Sequence, residues 1–433
     1  MAGGCDIEPL NLAGGLPDYE GMRIVEDGGV ASAAGFSAAG IHAGFRADPE
    51  RLDMALVAAD QPCACAATFT QNVFCAAPVT VSRDHLGGVS YGTARVLVVN
   101  SGVANAATGS KGLEAAERVA EIVGEAIGCP ANEVMVASTG VIGVHLNLEI
   151  FQSGAPRAVS ALSVDGGPAA ARAIMTTDTH PKQFALSFSG DSLGYEGCTF
   201  TVGGMCKGSG MIMPNMATMI ACLTTDAPLC ADVLHDVLVR AVQASFNKVT
   251  VDSDTSTNDC CYLFASGAAA PGLPAFVPGS AAFTQFERAL LSVCETLARE
   301  MAADGEGATR LVTVRVTGAE NQSDADIAAR TIANSPLVKT AIFGHDANWG
   351  RIAAAAGRSG ARFDQQDVSI DIMGLPVLRA GLPVPFDEEE ALRRFERPEI
   401  DLEVDLGAGT SSTTIWTCDF SHDYVTINGD YRT

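Results

Sequence analysis

Near the middle of the 433 residues stands Lys207-Gly208-Ser209-Gly210-Met211-Ile212-Met213-Pro214-Asn215-Met216-Ala217-Thr218-Met219, a stretch able to act chemically on its own backbone. Two glycines around one serine free the chain to take positive φ, and Pro214 forbids a regular helix or central strand through the segment. A bent backbone is expected. Beyond it, residues 219–223 turn apolar and read as a strand about to be buried. A threonine at the head of such a strand, directly after a strained turn, suits an autoprocessing nucleophile. The Thr218 hydroxyl attacks the Ala217 carbonyl, the amide rearranges to an ester and hydrolyses, and the freed α-amine then lies beside the hydroxyl it must activate. A plain Gly-rich turn between strands uses the same residue types and is the commoner case on spacing alone.

Other segments carry groups that such a nucleophile would need. Ser138-Thr139-Gly140-Val141-Ile142-Gly143 follows a strand-like run, and backbone amides at a strand-to-turn junction can converge on an oxyanion while glycine admits a close substrate. The hydroxyls of Thr176-Thr177-Asp178-Thr179 would bind polar substrate groups or, more plainly, cap a strand. His180 beside them reads as a loop residue. Glu306, between Gly305 and Gly307, precedes an alternating strand at 311–317, so its carboxylate is either held at the start of a rigid element or simply exposed in a turn. The polar run 250–259 contains three aspartates but lacks the spacing of an EF-hand loop, so hydrogen-bonding or solvated carboxylates are expected there instead of a metal site.

The elements that must position these groups alternate along the chain. Residues 53–58 and 78–82 read as short β runs, and 95–99 as a buried strand ending in the turn Asn100–Ala106, whose asparagines suit turn-building more than ligand binding. Apolar residues at helical spacing predict a helix over 113–127, stopped by Gly128 and Pro130, and a strand over 133–137. Helices follow at 233–246, 286–301 and 324–333. Residues 337–343 read as a strand leading into Gly344-His345-Asp346-Ala347-Asn348-Trp349-Gly350-Arg351, a site wall or a packing anchor, and 424–433 reads as strand-like.

Composition narrows the class. Hydrophobic residues make up 47% and charged residues 18%, which favours a globular enzyme over a disordered chain. Asp and Glu number 51 against 27 Lys and Arg, and this excess of acid argues against nucleic acid or an anionic membrane as partner. An amino-acid substrate would need local cations, of which Lys207 is one. Thirteen cysteines, with spacings such as Cys63-x-Cys65 and Cys260-Cys261, fit no zinc pattern and read as reduced core thiols. The opening MAGGCDIEPLNLAGG has no basic region followed by an apolar run, so a cytoplasmic location is the expectation. The length is that of two or three domains, or of one large two-part fold.

The string KGSGMIMPNMATM resembles the signature of the ornithine acetyltransferases, the glutamate N-acetyltransferases of arginine biosynthesis. Phrases from Phe69 to Thr433 are similar to that family's, although Val103 and Gly429 stand where the family usually has Asn and Ala. The resemblance implies a mixed α/β fold of α+β layers, assembled from two chains produced by self-cleavage at Ala217-Thr218: an α chain, 1–217, and a β chain, 218–433. It implies Thr218 as the acetyl-accepting nucleophile and Thr139 and Gly140 as the oxyanion hole. Substrate contacts would come from Thr176, Lys207, Thr218, Glu306, Asn428 and Thr433, with Thr177 the alternative to Thr176. It further implies N-acetylornithine and glutamate as substrates, an α2β2 assembly and no metal or other cofactor, and leaves acetyl-coenzyme A open as a second donor. A self-cleaving threonine hydrolase or aminopeptidase of related architecture is the competing class, distinguished by releasing its acyl group to water.

Overall fold

The computed structural model describes Tyr19 and residues 21–213 and 219–430. Within them, nine strands form one sheet: β1 (Met22–Ile24), β2 (Phe36–Ile41), β3 (Met54–Phe69), β4 (Tyr91–Val103), β5 (Val134–Val141), β6 (Lys182–Ser189), β7 (Thr199–Lys207), β8 (Ile220–Thr225) and β9 (Cys260–Ala265). Their order is β1-β6-β7-β8-β9-β3-β4-β5. The long β3 serves two neighbours along one edge, pairing its first half with β2 and its second with β9. Parallel pairs occur at β4–β5 and β8–β9. Strands from both sides of Ala217-Thr218 therefore interleave in one sheet, with β8 and β9 between β7 and β3.

Six helices cover this sheet: α1 (Ala77–His85), α2 (Gly109–Ile127), α3 (Leu148–Ser160), α4 (Gly167–Ala173), α5 (Ala231–Ala244) and α6 (Ala281–Ala303). Leu234, Leu238, Phe286, Leu290 and Leu297 of α5 and α6 bury against Leu223 and Leu263. Val119, Val123 and Phe151 of α2 and α3 pack on Leu56 and Val98. A second sheet holds β10 (Leu311–Ala319), β11 (Ser369–Ile372), β12 (Leu375–Arg379), β13 (Leu382–Pro383), β14 (Glu399–Asp405) and β15 (Ser411–Cys418) in the order β13-β12-β11-β14-β10-β15. It is backed by α7 (Gln322–Ala333), α8 (Pro336–Phe343) and α9 (Trp349–Gly357), while α10 (Glu388–Phe395) precedes β14 and α11 (His422–Asp430) follows β15. Arg299 of α6 donates through Nη2 to both oxygens of Glu399 on β14, at 2.9 and 2.8 Å, and so ties the two layers together.

The fold class is the mixed α/β expected, and the main strands and helices fall where their periodicity places them. Three segments differ. Residues 78–82 belong to helix α1, because Pro78 occupies its first turn, where a missing N–H costs nothing. Residues 337–343 belong to α8, where Ser335 accepts a bond from Val338 N and Pro336 opens the first turn. Residues 422–430 form α11 despite their β-branched content, and no side chain of that helix is buried. Tertiary contacts at its root, described below, decide its conformation.

The turn asparagines are structural. Asn100 accepts from Ser138 Oγ at 2.6 Å and donates to Val103 O at 2.9 Å. Asn258, ahead of β9, donates through Nδ2 to Ala104 O at 2.6 Å and Ser138 O at 2.8 Å, clamping the ends of β4 and β5. Asn258→Ala removes both bonds and is expected to lower stability by about 2 kcal/mol or more. The urea midpoint should fall at unchanged m-value; an unchanged midpoint would mean that these bonds do not hold the strand ends.

Candidate active site

Between β7 and β8, whose pairing ends at Lys207 with Ile220, the chain leaves the sheet, and residues 208–213 form the first described part of this excursion, with Ser209 and Ile212 buried. Gly208 N donates to Asp178 Oδ1 at 2.8 Å, and Ser209 Oγ to Asp304 O at 2.7 Å. Met211 N and Ile212 N donate to the two oxygens of Asp252 at 2.6 and 2.8 Å, and Thr255 Oγ1 donates to Met213 O at 2.9 Å. Asp252 of the polar run is thus a hydrogen-bonding carboxylate. Burial pushes its pKa up, against the backbone donors that would lower it.

Positive φ in this excursion falls on Met211, at 56°, and not on Gly208 or Gly210. The glycines serve close approach instead. A Cβ on Gly210 would stand 2.3 Å from the Glu306 carboxylate, and one on Gly208 would stand 2.7 Å from Met301 Sδ. Pro214, Ala217 and Thr218 lie outside the described residues, as does Thr433.

The excursion borders a cavity of about 270 Å³, whose lining includes Thr139, Gly140, Thr176, Lys207, Glu306 and Asn428. Every described residue among the expected site groups is therefore drawn to one place. Thr177 lines it as well, so the cavity does not choose between the two threonines. Thr139 and Gly140 sit inside the end of β5, which runs to Val141, and not in a following turn. Gly140 has φ 129° and pairs with Gly102, whose carbonyl carbon a Cβ would meet at 2.3 Å. Glycine is required there by both conformation and space.

The cavity's lining carries three carboxylates, Asp252, Asp254 and Glu306, and one cation, so that Lys207 and Glu306 supply opposite charges. Both side chains are largely buried. Among the described residues Lys207 has no hydrogen-bond partner, whereas Glu306 Oε2 accepts from Asn428 Nδ2 at 2.7 Å. Asn428 lies one helical turn beyond Tyr424, which also lines the cavity. His345 and Trp349 of the GHDANWGR phrase do not line it; Asn348 caps α9 by accepting from Arg351 N.

Beneath these groups lies an ion triad that no spacing in the sequence announced. Lys182 Nζ donates to Asp178 Oδ1 at 2.8 Å and to Asp304 Oδ2 at 2.5 Å, with all three side chains buried. Asp178 also accepts from Thr176 N at 2.9 Å, and Asp304 from the Thr179 amide and hydroxyl. Burial is the largest influence on Asp178 and works to raise its pKa. The charges of Lys182 and Lys207 and the bonds from Lys182 and Thr176 outweigh it, holding the carboxyl well below the usual range. His180, with its side chain 44% exposed, stands 3.5 Å from Asp304 and does not line the cavity.

Residues 37–433 match the ArgJ family. This chain belongs to the ArgJ family. It is 48% identical over 407 residues to the arginine biosynthesis bifunctional protein ArgJ of Symbiobacterium thermophilum, covering 94% of this chain and 99% of that one. A second relative of the same name, from Thermosynechococcus vestitus, is 46% identical over 422 residues, with 94% and 98% covered. Among solved structures, ornithine acetyltransferase from Mycobacterium tuberculosis complexed with ornithine is 40% identical, with a TM-score of 0.41, covering 45% of this chain and all of that one. An ArgJ structure from Bacillus halodurans is 41% identical, with a TM-score of 0.46, covering 48% of this chain and 97% of that chain. The family match over residues 37–433 and the identity to these relatives bear out the resemblance carried by KGSGMIMPNMATM.

Two outcomes follow from the geometry. Gly210→Ala should displace the Glu306 carboxylate, loosen its bond from Asn428 and lower the urea midpoint, because the added methyl and that carboxylate cannot share the space; a parent-like midpoint would show the turn to be pliable there. Asp178 binds fewer protons folded than unfolded, so its stabilisation is complete above about pH 4 and is lost as the pH falls below that value. Asp178→Asn cannot titrate and should show a flatter acid limb in urea melts, and a limb identical to the parent's would contradict the triad's role.

Proposed function

We propose that this chain is a glutamate N-acetyltransferase that moves an acetyl group from N2-acetylornithine to glutamate through an acetyl-threonine intermediate. The single observation behind this reading is that Thr139, Gly140, Thr176, Lys207, Glu306 and Asn428, distant in sequence, line one small cavity bordered by the turn that leads to Ala217-Thr218. The names of the relatives, proteins of arginine biosynthesis, agree with it.

In the proposed sequence the precursor first cuts itself at Ala217-Thr218, giving an α chain, 1–217, and a β chain, 218–433, that remain interleaved in one sheet. Thr218 Oγ then attacks the acetyl carbonyl while its own α-amine takes the hydroxyl proton through a water. The tetrahedral oxyanion is met by donors at Thr139 and Gly140, an interaction worth roughly 3 kcal/mol per donor. The C–N bond breaks, the ornithine amine leaves with a proton from the Thr218 ammonium, and glutamate's amine attacks the ester to regenerate the hydroxyl. Lys207 would receive the amino acid's carboxylate and Glu306 its ammonium, with Thr176, Asn428 and Thr433 fixing register. Transfer to an amine instead of water needs the reacting groups held away from solvent, and the burial of Lys207 and Glu306 in the cavity wall supports that requirement. The relatives are named bifunctional, which favours acetyl-coenzyme A as a further acetyl donor for glutamate. An α2β2 assembly completes the proposal.

Intact mass before and after N-acetylornithine tests the reading. Two fragments split at Ala217-Thr218, the β fragment heavier by one acetyl group that glutamate removes as N-acetylglutamate, are expected. An uncut chain, or release of the acetyl group as acetate with glutamate present, would overturn it. Glu306→Gln should keep the label but raise KM for the amino acid by about tenfold or more, through loss of a charge-assisted bond.

A further inference from the structure

Lys339 of α8 is 1% exposed, and among the described residues no carboxylate lies within ion-pairing distance of it. The carboxylates whose charges reach it, Asp419 and Asp252, are already committed to backbone donors: Asp252 to Met211 N and Ile212 N, Asp419 to Thr309 N and Arg310 N. Burial pushes the Lys339 pKa down, and the Cys418 side chain, 3.7 Å from Nζ, together with Asp419 and Asp252, only partly offsets it. An ammonium buried without a counter-charge costs stability that a methionine of similar length would not, so its presence calls for a role beyond packing.

Its contacts supply one. Lys339 Nζ donates to Thr417 Oγ1 at 2.7 Å and to Cys418 O at 2.5 Å, and stands 4.5 Å from the centroid of the Phe420 ring. A desolvated cation over an aromatic face is attracted more strongly than an exposed one. The Phe420 ring in turn stacks on Tyr424, with centroids 4.6 Å apart and planes 18° from parallel. Two further links join the same helix to this root: Phe420 N donates to Lys339 O at 3.3 Å, and Phe343, one turn beyond Lys339, meets His422 edge-on at 5.5 Å. Tyr424 and Asn428 of α11 line the cavity, yet α11 buries no side chain of its own.

We propose that Lys339 is a positioning residue for the cavity: its ammonium fixes Phe420, Phe420 fixes Tyr424, and the stack sets the register of α11 so that Tyr424 and Asn428 meet the bound amino acid. The kinetic part rests on the acetyltransferase reading above; the anchoring of α11 does not. The test compares Lys339→Met, Phe420→Leu and the double variant in the full-length protein. Each single variant should lose amide hydrogen-exchange protection over residues 422–430 and raise KM for N-acetylornithine by about tenfold with a much smaller change in kcat. The double variant should be no worse than either single, because both break one chain of contacts. Unchanged protection and KM in Lys339→Met, or additive effects in the double variant, would overturn the proposal. If Lys339→Met does not fold, Phe420→Leu alone decides by the same two readouts. A parent that neither cuts itself nor takes up acetyl would sink the acetyltransferase reading, and exchange over α11 would still decide whether Lys339 anchors it.

Discussion

Lys182, held between Asp178 and Asp304 with none of the three side chains open to water, is the interaction on which the site's geometry depends. Taking three charges out of water costs several kcal/mol per ion, and mutual attraction offsets that only when the remaining hydrogen-bonding capacity is filled. Here it is filled by the segments that must be brought together. Thr176 N and Gly208 N bind Asp178, Thr179 binds Asp304, and the backbone oxygen of Asp304 takes the Ser209 hydroxyl. A group that is unstable alone and satisfied only by four particular partners permits one arrangement of them. Its contribution is register more than net stability.

From that anchor the rest of the site follows through short links. Glu306 is two residues past Asp304, and its amide donates to Ser209 O, so the carboxylate is set against the excursion at the spot where Gly210 leaves room for it. Asp252 holds the next turn of the excursion, and Asn258, six residues later, clamps the ends of β4 and β5 where Thr139 and Gly140 sit. One polar loop thus fixes both the approach to Ala217-Thr218 and the strand end opposite in sequence. The interleaving of β8 and β9 between β7 and β3 is what makes this possible, since each loop then emerges beside the others.

Much of this was legible beforehand, and for identifiable reasons. Helix α2 announces itself through its apolar period and the αL Gly128, and β4 through an unbroken apolar run. The misreadings have causes too. At 78–82 and 337–343 the β-branched content outweighed a better signal, a proline in the first turn preceded in one case by the capping Ser335. At 422–430 no local signal sufficed, because α11 is held by Phe420, His422 and Asn428 meeting partners from α8 and from Glu306. The glycines of the excursion stand out in the sequence, but what occupies the space beside them is a carboxylate and a thioether, and neither has positive φ.

The sequence by itself determined the family, through the long run of residue types from Lys207 to Met219, together with the class of the fold and the positions of its main elements. These are properties of neighbours along the chain: periodicity, capping, and residues confined to one turn. Which residues share the cavity, what Gly210 makes room for, and how Asp178, Lys182 and Asp304 tolerate burial were decided only in three dimensions. Their energies arise from removing charges and backbone from water beside partners far along the chain, as with Lys182 and Asp304 or Asn428 and Glu306, each 122 residues apart, and no window of sequence contains both members of such a pair.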